Sequence, residues 1–306
     1  MTIRYSPLVR DALDHGYPVV ALETGIITHA LPRPLNLEVA LSVQEQLTEA
    51  AVVPATMGFI EGQAVIGLTD EELERLANDT SAARLTIRDL PIAQTRGLTG
   101  GVALAGALHL ADRAGIKVCA STGLGGVHHA HNVGTPLQES SDLTALAAHP
   151  VVMVASGVRP MLDVGATIER LETMGVPVLG YRSSQFAGFY VPSSGYAVDH
   201  RVDDPEEIAD IARARDDLGL TQAILVSNPV EQEKSVHDYD RHLAEAARIA
   251  SQYTEGGEDD TQVLLVSLEE TTGGEAWKVN QRIYHNNVGL AAEIAKALAT
   301  TPHYTD

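Results

Sequence analysis

The chain contains a single cysteine, Cys119, in 306 residues, which excludes a disulfide within it. Because Cys119 lies in the apolar run IKVCA, we predict a buried thiol without a catalytic role. No apolar run approaches the roughly 18 residues that a membrane span needs. The N-terminal segment carries charges where a signal peptide has its apolar region. These absences predict a cytoplasmic protein with no membrane partner.

Positive charge is also scarce. The chain has 21 basic and 41 acidic residues, a net charge of −20, which argues against a nucleic acid or an anionic membrane as partner. A phosphorylated small substrate is compatible with this balance, because single arginines and helix N-termini bind phosphate locally. The lysines are Lys117, Lys234, Lys278 and Lys296.

With 44% hydrophobic residues, the chain can bury a sizeable core. Short runs rich in valine, isoleucine and alanine alternate with amphipathic segments of helical period. Such runs are typical of strands in a parallel sheet that helices cover on both sides. We therefore predict one α/β domain over residues 1–306, an α/β/α sandwich with a largely parallel central sheet. The predicted strands are 18–23, 51–60, 116–121, 150–156, 176–181, 222–229 and 262–269.

The helical pattern recurs between these strands. Thr69 is followed by three acidic residues, which is typical of a helix N-cap and first turn. The polar segment 251–262 reads as an acidic loop within the pattern, not as a linker between domains. The predicted helices are 35–50, 69–79, 101–115, 140–149, 159–175, 204–219 and 278–300.

Glu23 follows a predicted strand, and ligands of open α/β sheets bind outside the carboxyl ends of strands. A carboxyl group beside an apolar wall has a raised pKa, which suits a general acid or base. The alternative is a carboxylate that braces its own loop. His29, six residues later, is either a partner of Glu23 or a hydrogen-bonding residue of the loop.

A glycine-rich loop at 120–132 follows another predicted strand. Its backbone N–H groups and the Ser121 hydroxyl suit either a phosphate cradle or a plain tight turn, and it lacks a Walker lysine and a G-x-G-x-x-G pattern. His128, His129 and His131 invite a zinc interpretation. Without a cysteine or HExxH context, we favour a surface loop.

Further polar residues have ordinary structural explanations. Ser140, Ser141 and Asp142 open a predicted helix, so capping explains them, with a grip on a sugar phosphate as the alternative. Arg84 and Arg88, in the segment RLTIRDLP, are by default solvated or salt-bridged.

Two asparagines occur in the last predicted helix. Asn280 and Asn287 occupy helical positions although asparagine is a poor helix former. We infer that their amides hydrogen-bond to another group.

Eight segments occur together in a fixed order: VVALETGIITHALPRP, AAVVPATMGFIEG, RDLP, AGIKVCASTGLGGVHH, SSDLTAL, MLDVGATIERLETMGVPVLGY, VSNPVEQE and NNVGLAAEIAKA. In this order, and over nearly the whole chain, they resemble pseudouridine-5′-phosphate glycosidases. The resemblance implies an α/β/α fold, a homotrimer, and reversible cleavage of the C–C bond between ribose 5-phosphate and uracil. It also implies a divalent cation, Mn²⁺ or Mg²⁺, and no organic cofactor. Close relatives in natural-product pathways join ribose 5-phosphate to other carbon nucleophiles.

The resemblance assigns catalytic roles and exposes a departure. The family's proton-donating glutamate falls on Glu23, a family lysine before RDLP falls on Arg84, and the lysine that opens ribose as a Schiff base falls on Arg159. A guanidinium stays protonated and cannot form an iminium with an aldehyde, which excludes Schiff-base catalysis at both positions. Lys278, close in sequence to Asn280, is the remaining lysine with any chance of replacing them.

Substrate and metal contacts also carry over. The family's Ser-x-Asp contacts fall on Ser140 and Asp142, and its helix asparagine on Asn280. The family's metal-binding aspartate falls near Gln138, and Glu139 is the next residue. We therefore predict that this chain departs from the family at the metal site. The predicted substrate-binding residues are Ser121, His128, Ser140, Ser141, Asp142 and Asn280.

These residues predict a reaction without a covalent enzyme intermediate. Arg159 and Arg84 would polarise the C1 aldehyde of open-chain ribose 5-phosphate while a carbon nucleophile attacks it. Glu23 moves the proton, water leaves, and the 4-hydroxyl closes the ring. Our first interpretation is therefore a C-glycosynthase that joins ribose 5-phosphate to an electron-rich carbon acceptor. The alternatives are a pseudouridine-5′-phosphate glycosidase and an inactive sugar-phosphate-binding homologue, and retained Glu23, Asp142 and Asn280 argue against the last.

Overall fold

The computed structural model describes residues 3–129, 138–250, 252 and 258–299. Its strands are β1 (Arg4–Tyr5), β2 (Val19–Leu22), β3 (Val53–Ile60), β4 (Gln63–Ile66), β5 (Ala83–Leu85), β6 (Gly100–Val102), β7 (Val118–Ala120), β8 (Val127–His128), β9 (Val152–Ala155), β10 (Leu162–Asp163), β11 (Val178–Tyr181), β12 (His200–Val202) and β13 (Ile224–Ser227). Its α-helices are α1 (Pro7–His15), α2 (Leu35–Glu49), α3 (Asp70–Asn78), α4 (Leu90–Arg96), α5 (Leu104–Ala114), α6 (Ser141–Ala148), α7 (Val164–Thr173), α8 (Pro205–Asp217), α9 (Tyr239–Ala250), α10 (Glu258–Thr271) and α11 (Glu275–Ala299). Short helical turns span Ile26–Ala30, Ile87–Asp89 and Gln232–Lys234.

The central sheet is largely parallel. Strands β3, β2, β7, β9, β13, β11 and β12 are hydrogen-bonded in that order, and each neighbouring pair is parallel. Strands β4 and β6 pair antiparallel with β3, while β1 joins β4 and β5 joins β6. Strands β8 and β10 form a separate antiparallel pair. This architecture confirms the predicted α/β class and its largely parallel sheet.

Alternate residues of the central strands fill two different cores. Ala21 and Cys119 belong to the core that α1, α5, α6 and α7 cover. Their strand neighbours Val20 and Val118 belong to the core that α2, α8 and α11 cover. Because successive side chains point to opposite faces, only strands that are apolar at every position satisfy both cores. The Cys119 thiol is buried as predicted, and burial raises its pKa.

Six of the seven predicted strands are confirmed, and the prediction for 262–269 is wrong because that run lies in α10. Leu264 and Leu268 are buried one helical turn apart, where α10 packs against α9 and α11. A short apolar run fits a strand or a buried helix face equally well, and here the four-residue spacing decides. The third core formed in this way also contains Phe189 and Tyr190.

The predicted helices are present, with three shifted starts: α5 begins at Leu104 and not at 101, because residues 101 and 102 belong to β6, and α11 begins at Glu275 and not at 278. The third shift is the largest. The helix expected from residue 159 begins at Val164, because the Asp163 carboxylate accepts a hydrogen bond from Ala166 N at 2.9 Å and caps it. Arg159 therefore lies in a loop ahead of α7. Thr69 caps α3 in a complete capping box, as predicted. None of the helices within the described ranges combines the length and apolar character needed to cross a membrane.

Candidate active site

The carboxyl ends of four neighbouring parallel strands meet at one edge of the sheet. Strand β2 ends before Glu23, β7 before Ser121, β9 before Ser156 and β13 before Asn228. All four polar residues are buried. Because buried polar groups need hydrogen-bond partners, these residues bond to one another and to nearby loops. The strand-end rule thus locates the candidate site where the sequence predicted it.

Glu23 is the buried acid of this site, with 2% of its surface exposed. The Ser121 hydroxyl donates a hydrogen bond to Glu23 Oε1 at 2.6 Å. Burial raises the pKa of Glu23, and the smaller opposing effects of Arg159, the Ser121 hydrogen bond and Arg84 lower it only in part. A Cβ on Gly25 would lie 3.0 Å from Glu23 Oε2, so a side chain there would crowd the carboxyl group. The geometry therefore favours a proton-carrying acid over a loop brace.

Arg159 lies in the loop between β9 and β10, where its backbone N–H donates to Leu124 O at 3.2 Å. Gly157 precedes it with φ +90°, and a Cβ there would collide with Ala187 O, so this turn requires glycine. The Arg159 side chain is half-buried. Within the described part of the chain, no hydrogen bond or ion pair holds its guanidinium, although its charge lowers the pKa of Glu23. This guanidinium is available to a ligand beside the buried acid.

The charge of Arg84 acts on both Glu23 and His29. Arg84 is an exposed residue of β5, and its charge lowers the pKa of Glu23. His29 Nδ1 is 2.6 Å from Thr28 Oγ1. Burial first, and the Arg84 charge second, lower the pKa of His29, so its imidazole is neutral at neutral pH. No contact joins His29 to Glu23 among the described residues, and the loop interpretation of His29 is favoured.

Three amides in the glycine-rich loop donate hydrogen bonds to other groups of the protein. The N–H groups of Leu124, Gly125 and Val127 donate to Gly157 O, Asp142 Oδ2 and Thr167 Oγ1 at 3.1, 2.8 and 3.0 Å. A phosphate cradle needs N–H groups that converge on the ligand. These three N–H groups therefore serve the turn and not a phosphate, while the phosphate-cradle interpretation of the other loop amides stays a prediction.

Ser140 and Asp142 hold the start of α6. Ser140 Oγ accepts from Asp142 N at 3.2 Å, which confirms the predicted cap. The Asp142 carboxylate accepts from Ala105 N at 3.1 Å and from Gly125 N at 2.8 Å, so it braces the loop beside Glu23. Substrate contacts by Ser140, Ser141 and Asp142 stay predictions. The same holds for His128, whose strand pairs with the residues just after Arg159.

The predicted metal ligands do not fit a divalent cation. Arg170 Nε lies 2.9 Å from Glu139 Oε1, so an arginine already neutralises that carboxylate, and Gln138 is exposed. Across residues 3–129, 138–250 and 258–299, no three His, Cys, Asp or Glu side chains are grouped to hold an ion. His129 lies 3.5 Å from Asp163, and His131 lies outside the described residues.

Asn287 ties the strand ends together from α11. Its Nδ2 donates to Ser121 O at 2.8 Å and lies 3.3 Å from Thr122 O. Its Oδ1 accepts from Asn228 Nδ2 at 2.9 Å and from the Ser156 hydroxyl at 3.2 Å. The sequence predicted that this amide is hydrogen-bonded, and the structure confirms it by placing the amide across three adjacent strand ends.

We expect Asn287→Ala to lower the free energy of unfolding by about 3 kcal/mol, because it leaves buried carbonyl and amide groups of the strand ends without partners. Urea unfolding measures this difference. The matched control is Asn286→Ala, on the same helix, whose side chain makes no hydrogen bond within the described ranges. Equal unfolding midpoints for the two variants would refute the strand-tying role.

We predict that none of the four lysines, all of which are described, replaces the family lysines. Lys278 is exposed, and it lies two residues from Asn280, which on a helix is a rotation of about 200°. No lysine contributes to the pKa shift of Glu23. The other three, Lys117, Lys234 and Lys296, form ion pairs with Asp216, Glu231 and Glu293 at 3.0, 2.6 and 2.9 Å.

Segment 186–190 also borders the site, and the sequence analysis missed it. Phe189 has φ 63°, a left-handed conformation that is an outlier for a bulky residue, and its N–H donates to Ser156 O at 2.9 Å. The Phe189 ring packs so close to Gly123 that a Cβ there would collide with it. Tyr190 is buried beside Asn280. Two of the chain's three phenylalanines fall in this short segment. That concentration of aromatic residues was the feature of the sequence that could have pointed to it.

A buried acid beside two arginines at the carboxyl edge of a parallel sheet defines an enzyme of the α/β class. The chain matches the family described as indigoidine synthase A-like proteins over residues 8–297. The chain belongs to this family. The match confirms the resemblance on which the site assignment was based.

Curated relatives carry a more specific name. A protein of Saccharopolyspora erythraea named pseudouridine-5′-phosphate glycosidase is 48% identical over 293 residues, which cover 95% of this chain and 96% of that protein. A Frankia alni protein of the same name is 44% identical, covering 96% of this chain and 81% of that protein. Among solved structures, the prealnumycin C-glycosynthase AlnA in complex with ribulose 5-phosphate has a TM-score of 0.88 at 30% identity, covering 98% of this chain and 97% of that one.

Proposed function

We propose that this protein cleaves and forms the C–C bond between C1 of ribose 5-phosphate and C5 of uracil, which is pseudouridine-5′-phosphate glycosidase activity. The observation that carries the proposal is the buried Glu23 carboxyl group, which accepts a hydrogen bond from Ser121 and whose pKa the Arg159 charge lowers. Within the described residues, the Arg159 guanidinium has no hydrogen bond or ion pair. The names of the relatives at 48% and 44% identity support it. They favour this alternative over the synthase interpretation that came first from the sequence.

Cleavage proceeds through an open-chain sugar in this proposal. The base loses its N1 proton, the C1–O4 bond breaks, and O4 takes up a proton. Water then adds its hydroxide to C1 and its proton to N1. Glu23 protonates C5, the C1–C5 bond breaks, and the C1 hydroxyl becomes the aldehyde as its proton returns to Glu23. One water is consumed, and uracil and ribose 5-phosphate are released.

The arginines act on the sugar oxygen and not as nucleophiles. A guanidinium supplies two donors and a fixed positive charge, which stabilise the C1 oxygen as it becomes the aldehyde. Arg159 is proposed for this role because its charge lowers the pKa of Glu23. Arg84, exposed on β5, supplies a second positive charge that also lowers the pKa of Glu23.

A second candidate is a C-glycosynthase that joins ribose 5-phosphate to another carbon nucleophile. Two points favour it: the family resemblance puts Arg84 and Arg159 at the positions of the family lysines, and the fold is close to that of the C-glycosynthase AlnA. A route without a Schiff base suits an acceptor whose carbon is already electron-rich.

One pair of incubations tests both candidates. The protein is incubated with pseudouridine 5′-phosphate and, separately, with ribose 5-phosphate plus uracil or electron-rich aromatic acceptors, and products are followed by mass. We expect release of uracil from pseudouridine 5′-phosphate. In the reverse direction we expect ribose 5-phosphate and uracil to form pseudouridine 5′-phosphate. No uracil release, together with a C-ribosylated product from another acceptor, would replace the first proposal by the second.

The homotrimer implied by the family resemblance is also proposed for this chain. Light scattering coupled to size-exclusion chromatography measures its mass directly. A mass three times that of the 32.5 kDa chain is the expected result, and a monomer or dimer would contradict it.

A further inference from the structure

A surface groove lies between the exposed side of α11 and the segment 233–237. Its cavity has a volume of about 410 Å³, within the range of small-molecule sites. None of its lining residues contributes to the pKa shift of Glu23. We call it the Lys278 groove, and the charged residues that line it are Glu233, Lys234, His237, Glu275, Lys278 and Arg282.

Helix α11 supplies one wall of the Lys278 groove. Glu275, Lys278 and Arg282 are spaced by three and four residues, which places them within about 60° of one another around a helix. Lys278 and Arg282 are both exposed. Asn287 follows Lys278 by nine residues, a rotation of about 180°, so the groove lies on the side of α11 opposite to the strand ends.

Two contacts hold the other wall against α11. Arg282 Nη1 donates a hydrogen bond to Lys234 O at 3.0 Å. His237 Nδ1 lies 2.6 Å from Glu275 Oε1, and His237 N donates to Glu275 Oε2 at 3.2 Å. The hydrogen bond to Glu275 raises the pKa of His237. The positions of both walls are therefore set by bonds that need no ligand.

The charge in the Lys278 groove is the reverse of that in the whole chain. Acidic residues outnumber basic ones by 41 to 21 overall. The groove is instead lined by two of the four lysines, an arginine and a histidine, against two glutamates. One of these glutamates, Glu275, is already paired with His237. Positive charge therefore prevails in this cavity.

Two of the cations in the groove have no acidic partner. Lys117, Lys234 and Lys296 each form an ion pair, whereas Lys278 forms none among the described residues. The Lys278 charge opposes the burial that raises the pKa of Glu269, but the two groups do not pair. Arg282 also lacks an ion pair within the described ranges, and its bond to Lys234 O uses one of five N–H donors.

We infer that the Lys278 groove binds a phosphate group, that of inorganic phosphate or of a phosphorylated small molecule. Lys278 and Arg282 supply positive charge and N–H donors from one wall, and Lys234 supplies them from the other. A cavity lined mainly by one sign of charge concentrates ions of the opposite sign. The groove is separate from the Glu23 site, and the inference does not depend on the proposed function.

Nuclear magnetic resonance of methylated lysines tests the inference, because the chain has only four lysines to assign. Reductive methylation with isotope-labelled formaldehyde labels each lysine and keeps its charge. Lysine-to-arginine variants assign the signals. Inorganic phosphate and glycerol 3-phosphate are titrated separately, with sodium chloride at equal ionic strength as the control. We expect the signals of Lys278 and Lys234 to shift with one shared dissociation constant, while those of Lys117 and Lys296 stay in place.

Two substitutions should change the affinity in opposite directions. Arg282→Ala is expected to weaken phosphate binding about 10-fold, because it removes charge-assisted donors. Glu233→Gln removes the groove's acid that has no ion pair in the described part of the chain, and it should tighten binding about 3-fold. Opposite effects cannot come from a general loss of folding. Arg88→Ala, at a side chain that is 79% exposed, is the matched control and should leave the affinity unchanged.

Each outcome decides the inference. A shift of the Lys278 and Lys234 signals with either probe supports it, and the probe that binds more tightly identifies the source of the phosphate group. No shift at Lys278, equal shifts of all four lysine signals, or shifts that sodium chloride reproduces would overturn it. An affinity that neither Arg282→Ala nor Glu233→Gln changes would also overturn it.

Discussion

Glu23→Gln is expected to reduce turnover about 10³-fold while the protein stays folded, because the amide keeps the shape of the carboxyl group but cannot deliver a proton to carbon. The Ser121 hydroxyl at 2.6 Å can still donate to the amide oxygen, so the local structure is retained. The measurement is kcat for uracil release, with circular dichroism and thermal unfolding as folding checks. Glu45→Gln, on the exposed side of α2, is the matched control and should leave kcat unchanged.

Glu23→Gln should also change how the free energy of unfolding depends on pH. Burial raises the pKa of folded Glu23 above its ordinary value of 4.5. At pH values between 4.5 and the raised pKa of the folded state, the folded state binds more protons than the unfolded state. The free energy of unfolding therefore falls as the pH rises through that window. Glu23→Gln removes this contribution and should gain stability relative to the wild type above pH 4.5. Parallel pH dependences for the two proteins, or a kcat within a few-fold of the wild type, would rule out Glu23 as the buried acid.

Arg159→Met is the second large effect, with an expected loss of about 10²- to 10³-fold in kcat/KM, the range for removing one preorganised donor from developing charge. Methionine keeps much of the apolar stem without the charge. Because Arg159 lowers the pKa of Glu23, its removal should also move the pH dependence of kcat/KM that reports this acid to higher pH. The pH–rate profile of uracil release measures both effects.

A suitable control for Arg159→Met is Arg88→Met. Arg88 has 79% of its side chain exposed and only a 3.8 Å contact with Asp89, so its loss should not alter kcat/KM. If Arg159→Met kept wild-type activity and an unshifted pH profile, the guanidinium would have no part in catalysis. The charge of Arg84 would then be the remaining candidate.

Local patterns predicted most of the fold. Fully apolar strands such as Val19–Leu22 were recognisable because both faces of the sheet are buried. The run 262–269 was misread because its length and composition fit either element, and only packing against α9 and α11 makes it helical. The start of α7 depends on the Asp163 cap, which ends the preceding loop four residues beyond Arg159.

The site was predicted in part. Glu23 and Asn287 were identifiable because a charge at a strand end and an amide in a helix go against ordinary preferences. The bonds from Asp142 to Ala105 N and Gly125 N could not be predicted, since they join residues far apart in the sequence. The role of segment 186–190 depends on contacts of Phe189 with Ser156 and Gly123, which no local pattern encodes.

The central claim is that this site handles a C-ribosyl bond without an amine nucleophile, and borohydride trapping tests it most directly. Wild-type protein and Arg159→Lys are incubated with pseudouridine 5′-phosphate or ribose 5-phosphate, reduced with borohydride, and mapped by peptide mass. We expect no substrate-dependent adduct on the wild type, and an adduct at position 159 of the variant, where the new amine meets the sugar aldehyde. A sugar adduct on Lys117, Lys234, Lys278 or Lys296 of the active wild type would contradict it.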